Sequence, residues 1–308
     1  MSDSHSIVLE FDSVTKWYGS VAALLDVSFQ VGNEVVGLVG KNGVGKSTLM
    51  KLAVGLLDPS QGAVRVCGSD ATTRESRARI GFCPDFDRLY EPISGVTFVA
   101  WMLRYHGVAG RAATERAEEV LTELGLAENM HRPIREYSKG MRQRVRLGQA
   151  LSHRPQFVLL DEPMTGLDPV ARAELADLIR GLPQRGVGVL VSSHVLHELE
   201  AVVDRVVLVH QGRLLADGKV DTLRDQLPER PHRLRLKGAR LRELASQLTA
   251  WPEVDGVSFL RDGLEISLSG HGAFYERFSD LASDWQGGVH ELIPLDDDLA
   301  AVFGYLVE

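Results

Sequence analysis

Gly40-Lys41-Asn42-Gly43-Val44-Gly45-Lys46-Ser47-Thr48 fits the pattern G-x-x-x-x-G-K-[ST] and follows the apolar run Val35 to Val39. A buried strand therefore feeds a glycine-rich loop, and a helix follows from about Lys46. Glycines let consecutive backbone N–H groups turn inward as an anion nest, and the helix aims the positive end of its dipole at the same point. Phosphate oxygens fit there. Gly40, Asn42, Gly43, Gly45 and Thr48 form the cradle, Lys46 reaches the β- and γ-phosphates as a point charge, and the Ser47 hydroxyl takes one position on Mg²⁺, a hard cation suited to oxygen ligands.

A phosphate loop of this kind needs a second contact to the metal. Phe157-Val158-Leu159-Leu160-Asp161-Glu162 supplies it as an apolar strand ending in two acids. In open α/β sheets ligands sit beyond the carboxyl ends of the strands, and both segments fall there. Asp161 is expected to hold the metal through its water. Glu162 is expected to orient or deprotonate the attacking water.

Outward from these two segments, β-branched runs alternate with longer helical patterns between Ile7 and about Val209, which marks an α/β core with a largely parallel sheet. Val35 to Val39, Phe157 to Leu160, Gly188 to Ser192 and Arg205 to Val209 read as its strands; Ile7 to Val14, Ser28 to Val31 and Ala63 to Cys67 read as an antiparallel layer. Between Phe98 and Gly125 the period becomes helical, in two segments separated by Gly107 to Gly110, as in an inserted helical subdomain.

Composition narrows the classes. The 308 residues carry 34 Lys+Arg against 42 Asp+Glu, a net charge of -8, with 44% hydrophobic residues. That is globular composition, and its bulk charge is not built to coat DNA or an anionic membrane. Cys67 and Cys83 form no C-x-x-C pair, so neither a disulfide scaffold nor a structural zinc site is expected. No run approaches the roughly 18 apolar residues of a membrane span.

Together with Tyr137-Ser138-Lys139-Gly140-Met141-Arg142-Gln143-Arg144, these motifs resemble the nucleotide-binding subunit of an ABC transporter over residues 7 to 225 or so. The resemblance implies a P-loop ATPase that hydrolyses Mg²⁺-ATP, works as a head-to-tail dimer and drives a separate transmembrane permease from the cytoplasmic face of the membrane. In such subunits the segment at Ser138 opens a helix that faces the γ-phosphate bound on the second subunit. Ser138, Lys139 and Gly140 are its counterparts here, with Lys139 and Met141 in place of the commoner Gly and Gln. Tyr18 resembles the aromatic that stacks on adenine, with Trp17 as the second candidate. Thr165-Gly166-Leu167-Asp168 resembles the loop that lies across the dimer interface, which adds Asp168 to the ATP-binding set. His194 resembles the histidine that contacts the γ-phosphate.

One position departs from the family pattern. In Ile80-Gly81-Phe82-Cys83-Pro84-Asp85-Phe86-Asp87, Asp85 stands where the family carries a metal-contacting glutamine. A carboxylate can ligate Mg²⁺ directly but cannot donate a hydrogen bond. The same junction is expected to form an apolar groove for the permease from Phe82, Phe86, Leu89, Tyr90 and Trp101.

The expected organisation is a nucleotide-binding domain over 1–227, with its helical subdomain at about 86–150, and a small accessory domain over 228–308. Pro228-Glu229-Arg230-Pro231 reads as the linker. Beyond it, strand (Leu234, Leu236), helix (Ala239 to Thr249), strand (Val254 to Leu260), turn (Arg261 to Gly263), strand (Leu264 to Leu268), helix (Ala273 to Ala282), strand (Val289 to Ile293) and helix (Asp297 to Leu306) give a ferredoxin-like order. This appended α+β domain and the Tyr-Ser-Lys-Gly-Met signature resemble exporters of drugs, lipids or polysaccharides, and ATPases of copper-enzyme maturation. A regulatory and a purely stabilising role for that domain both fit. Outside transport, a soluble ABC ATPase acting on ribosomes or DNA and a non-hydrolysing regulatory subunit are the alternatives. The basic segment from Arg132 to Arg154 coincides with the signature helix and is assigned to ATP, so no nucleic-acid partner is expected.

Overall fold

A computed structural model describes residues 7–41, 43–203, 205–219, 222–223, 232–269, 272–285 and 288–295. It divides the chain into two compact units, Met1–Lys219 and Val220–Glu308. The division falls ahead of the expected linker; that linker, and the helix expected over Asp297 to Leu306, lie outside the described residues.

The centre of the first unit is strand β3 (Val35–Val39), five residues that are all buried. It is flanked by β8 (Gly188–Ser192) and β9 (Arg205–His210), with β7 (Phe157–Asp161) beyond β8 and β6 (Ile80–Cys83) beyond β7. These five run parallel. Only β10 (Arg213–Lys219), at the edge on β9, is antiparallel. Strands covered on both faces have no polar side to show, which is why β3, β7 and β8 read as unbroken apolar runs. β6 and β10 escape such a reading: β6 has four residues including Gly81, and β10 alternates exposed and half-buried positions at an edge.

A second, antiparallel sheet is ordered β2 (Val21–Val31), β1 (Leu9–Tyr18), β4 (Gln61–Val66) and β5 (Ser69–Asp70). β1 and β2 are longer than expected because Ser13 and Asp26 adopt positive φ beside register shifts, and such bulges break the period-2 pattern that marks a strand. Phe11 stacks on Phe29 across this pair at 4.8 Å, and the sheet shares one core with α1 (Lys46–Ala53) through Leu49, Met50 and Leu52.

The short helices α2 (Arg74–Ala78) and α7 (Leu196–Glu200) follow β5 and β8, and between β6 and β7 lie α3 (Gly95–Tyr105), α4 (Arg111–Glu123) and α5 (Lys139–Leu151), packed on a separate core that includes Val99, Leu121, Ile134 and Val145. Ser94 and Ser138 cap α3 and α5 by accepting the N–H of Thr97 and Met141. The Arg142 guanidinium of α5 makes a two-pronged bond to Asp87 at 2.6 and 3.1 Å and pairs with Glu91 at 3.2 Å, fastening the helix to the loop that leaves β6.

The second unit carries a sheet ordered β12 (Val254–Leu260), β13 (Gly263–Leu268), β11 (His232–Gly238) and β14 (Val289–Pro294), every pairing antiparallel. Helices α8 (Leu241–Leu248) and α9 (Gly272–Asp284) complete the ferredoxin-like order, and Leu244, Leu248, Phe274 and Phe278 close on Leu234, Leu236 and Ile266. α8 starts two residues later than expected, after Arg240 in the left-handed region.

Candidate functional site

Because β3, β8, β7 and β6 are neighbours and parallel, the segments leaving their carboxyl ends stand in a row: the glycine loop, then Ser193-His194, then Asp161-Glu162, then Pro84-Asp85. Residues separated by up to 154 positions are brought to one edge by topology alone. Gly45 takes φ 113° at the helix start, and a Cβ there would fall 2.6 Å from the Ala23 carbonyl oxygen of β2, so only glycine lets the loop turn against that strand. Gly43 also has positive φ, but a Cβ on it would meet nothing within 4 Å, which leaves the mouth of the cradle open. Asn42 lies outside the described residues.

Lys46 is buried, and its Nζ donates to the carbonyls of Gly40 and, at 3.2 Å, Lys41. Burial pushes this ammonium below its usual value, opposed by the nearby carboxylates of Glu162 and Asp161. Those two acids thus lie within electrostatic reach of the phosphate loop. Ser47 is exposed at the helix start and Thr48 is half-buried.

Asp161 is pushed above the ordinary carboxylate range chiefly by burial, with Asp85 and Glu162 adding to the rise; a bond from Ser192 and the charge of Lys46 pull it down. Asp85 is therefore close to Asp161 in the fold. Ser192 Oγ donates to Asp161 Oδ1 at 2.7 Å and accepts the Glu162 N–H at 3.1 Å. Glu162 sits at φ 49°, a strained position for a residue with a Cβ. Its Oε2 accepts from His194 Nδ1 at 2.7 Å and from Thr165 Oγ1 at 3.1 Å. Because a carboxylate only accepts, the bond places the proton of His194 on Nδ1. Nothing in the sequence marks Ser192 or Thr165 as a positioning residue beyond, for Ser192, a hydroxyl ending an otherwise apolar strand.

Other expected residues are distributed as follows. Tyr18 ends β1, exposed, with Lys16 Nζ 5.6 Å from its ring centre. It pairs with Val21, two residues from the Ala23 that abuts Gly45, so the hairpin tip lies beside the phosphate loop. Ser138 starts α5, and Lys139 packs its side chain over Gly166. Asp168 caps α6 (Pro169–Arg180) by accepting the Ala171 N–H at 2.9 Å. The groove at the junction differs from expectation in its walls. Phe82, Phe86 and Leu89 line it, but Tyr90 and Trp101 pack on each other outside it, 6.2 Å apart, and Phe98, Met102 and Tyr105 take their place.

The residues present suit a magnesium nucleotide. The cradle is open at Gly43, a cation stands at its back, and the oxygen donors near it are a hydroxyl and a carboxylate whose burial leaves it short of positive charge. Among the described residues no cluster of three His, Cys, Asp or Glu could hold a metal alone.

A strand, a glycine loop and an α-helix start facing an acidic strand end define a P-loop nucleoside triphosphatase. Comparison with known proteins places it further. The family described as ABC transporter matches residues 24–165. The chain is 33% identical, over 87% of its length and 82% of the relative's, to the daunorubicin/doxorubicin resistance ATP-binding protein DrrA of Streptomyces peucetius. It is 34% identical, over 68% of its length and 70% of the relative's, to the Nod factor export ATP-binding protein I of Burkholderia orbicola. A solved ATP-binding subunit of an ABC transporter superposes with a TM-score of 0.64 at 31% identity, covering 71% of this chain and 92% of that one. The chain belongs to the ABC transporter family as an ATP-binding subunit, and it is an ATPase.

Proposed function

We propose that this subunit hydrolyses Mg²⁺-ATP as one half of a head-to-tail homodimer and thereby drives a transmembrane exporter, held at the cytoplasmic face of the membrane by that permease. The two relatives named for drug resistance and Nod factor export support the export assignment. In this reading Ser47 and Asp161 hold Mg²⁺, with Asp85 beside them, and the metal would supply charge neutralisation on the phosphate oxygens. Tyr18 stacks on adenine. Ser138, Lys139, Gly140 and Asp168 face the nucleotide of the second subunit.

The observation that carries the reading is the bond from His194 Nδ1 to Glu162 Oε2, which joins the ends of β8 and β7 beside the phosphate loop. With Thr165 also on Oε2, that oxygen is committed to orientation, and Oε1 is left to take the proton of an attacking water. His194 then fixes the carboxylate through Nδ1. Glu162→Gln keeps shape and loses the base. ATP turnover should fall about 10²- to 10⁴-fold, and ATP should trap a dimer detectable by light scattering. Turnover within twofold of wild type removes Glu162 as the base, and a monomer at saturating ATP removes the two-chain site.

A further inference from the structure

At the amino-terminal ends of β6 and β7, where α2 leads into β6 and the chain leaving α5 leads into β7, lies a pocket of about 500 Å³. The nucleotide-site segments leave the carboxyl ends of the same strands, so this pocket stands at the other end of the sheet. Four arginines line it: Arg74 and Arg77 of α2, Arg116 of α4, and Arg154 just past α5. The buried Leu103 and the exposed Tyr105 add apolar surface. No acid lines it, in a chain whose net charge is -8. By sequence Arg154 belongs to the basic segment assigned to ATP, but α5 sets it about 20 Å from Ser138.

Neighbouring groups balance only part of this charge. Arg116 is engaged, its Nε donating to the Ser152 carbonyl at 2.9 Å and its Nη1 pairing with Glu119 at 2.7 Å. Arg154 reaches only the same Glu119, at 3.9 Å, and holds φ 58°, a left-handed conformation strained for a residue with a Cβ. The side chains of Arg74 and Arg77 make no hydrogen bond or ion pair among the described residues. α3 and α5 end at Tyr105 and Leu151 and turn their negative ends this way, worth about half a charge each. Against four guanidinium groups, one carboxylate and two helix ends leave a surplus of about two positive charges.

His106 and His153 stack at 3.8 Å on the same wall. Burial holds both below their ordinary value, His153 at about 4 with His106 adding to the fall, so neither adds charge at neutral pH. His153 Nε2 donates to the Ile80 carbonyl at 2.9 Å, which leaves Nδ1 an acceptor, and that atom is buried without a partner.

We propose that this pocket binds a phosphate monoester, with Arg74, Arg77 and Arg154 donating to its oxygens and Arg116 held in place behind them by Ser152 and Glu119. A monoester carries a charge of about -1.5 to -2 at pH 7, which matches the surplus. Guanidinium groups suit it because their planar forks pair with phosphate oxygens two at a time. Leu103 and Tyr105 then lie against the body that the phosphate is attached to, and a donor on the ligand satisfies His153 Nδ1. A soluble ester and the headgroup of an anionic lipid share this chemistry.

The test uses the full-length subunit in phosphate-free buffer, with a non-hydrolysable ATP analogue and Mg²⁺ filling the phosphate loop. Phenyl phosphate, titrated by calorimetry, represents the soluble source; vesicles of phosphatidylcholine with and without phosphatidic acid, read by cosedimentation, represent the lipid. Wild type should bind phenyl phosphate with a Kd below about 1 mM, or sediment with phosphatidic acid vesicles and not with plain ones, and whichever probe binds names the source. Arg74→Gln with Arg77→Gln should weaken that binding about tenfold or more, as two charge-assisted bonds are lost. Arg242→Gln with Arg261→Gln removes the same charge from exposed positions of the second unit and should leave binding within twofold of wild type. Wild type that binds neither probe overturns the proposal, as does an α2 double variant that binds within twofold of wild type or a control pair that loses as much. Should the α2 double variant fail to fold, the wild-type subunit decides: the probe that binds should shield Arg74 and Arg77 from phenylglyoxal, read by mass spectrometry, and equal labelling with and without it overturns the site.

Discussion

Ser192 serves two acids with one hydroxyl, donating to Asp161 and accepting the backbone N–H of Glu162. It is 1% exposed, so water cannot replace either bond in Ser192→Ala. Losing a hydrogen bond to a charged group costs about 1.5–3 kcal/mol, and here the cost falls on the two residues whose placement governs turnover. The kcat/KM for ATP should drop about tenfold to a hundredfold, measured by phosphate release, with the fold intact by circular dichroism; unchanged kcat/KM would show that β7 and β8 position the acids without it. His153 offers a separate test. Burial, with the field of His106 behind it, pushes His153 from the usual value near 6.5 to about 4. A base with a depressed folded value is charged first in the unfolded chain, so stability is full above about pH 6.5 and drains as pH falls towards 4, by on the order of 3 kcal/mol. His153→Gln keeps a donor for Ile80 and does not titrate. Thermal melts between pH 7 and 4 should therefore fall less steeply for the variant than for wild type, and parallel curves would show that His153 is not the group responsible.

At the scale of elements, legibility tracked how completely an element's surroundings are encoded in its own residues. β3, β7 and β8 are buried on both faces, so their sequence is apolar throughout and their positions were plain. β6 is too short to carry a pattern of its own, while β10 owes its place to pairing with β9 rather than to its own pattern. Motif residues stand at the ends of legible strands and can be picked out by type; the contacts among them, such as Ser192 to Asp161, join elements distant in sequence and leave no local signal. The Arg142 clamp is of this second kind. It ties α5, whose start carries Ser138, to the loop after β6, which carries Asp85. Both ends of that tie touch regions assigned to nucleotide and permease. Arg142→Met should leave ATP affinity within about twofold while lowering permease-stimulated hydrolysis about fivefold or more, the lower range of a coupling free energy between two sites. Equal stimulation of variant and wild type would make the clamp a stabilising contact only.

The two units of the whole molecule present different physical problems. The first builds two cores and carries the phosphate loop and the acidic strand end. Among the described residues the second stands on a single layer of two helices over four strands. Along β11 the leucines at 234 and 236 point to that core, while the alternate positions carry ion pairs on the opposite face, Arg233 with Glu265 at 2.6 Å and Lys237 with Glu291 at 2.9 Å. A sheet apolar on one face and charged on the other has no second apolar face left to bury, which favours independent folding of this unit. Small units bury a smaller share of their surface and are only modestly stable, yet a closed core of this kind suffices for independent folding. A fragment starting at Val220 should accordingly unfold in one cooperative transition by calorimetry, and a fragment ending at Lys219 should hydrolyse ATP within about twofold of the full chain's basal rate. The two results together would mark the second unit as an autonomous module whose purpose lies outside the chemical step. A fragment from Val220 with no cooperative transition would mean that its exposed residues, Phe259 and Ile293 among them, need the rest of the chain to hold them.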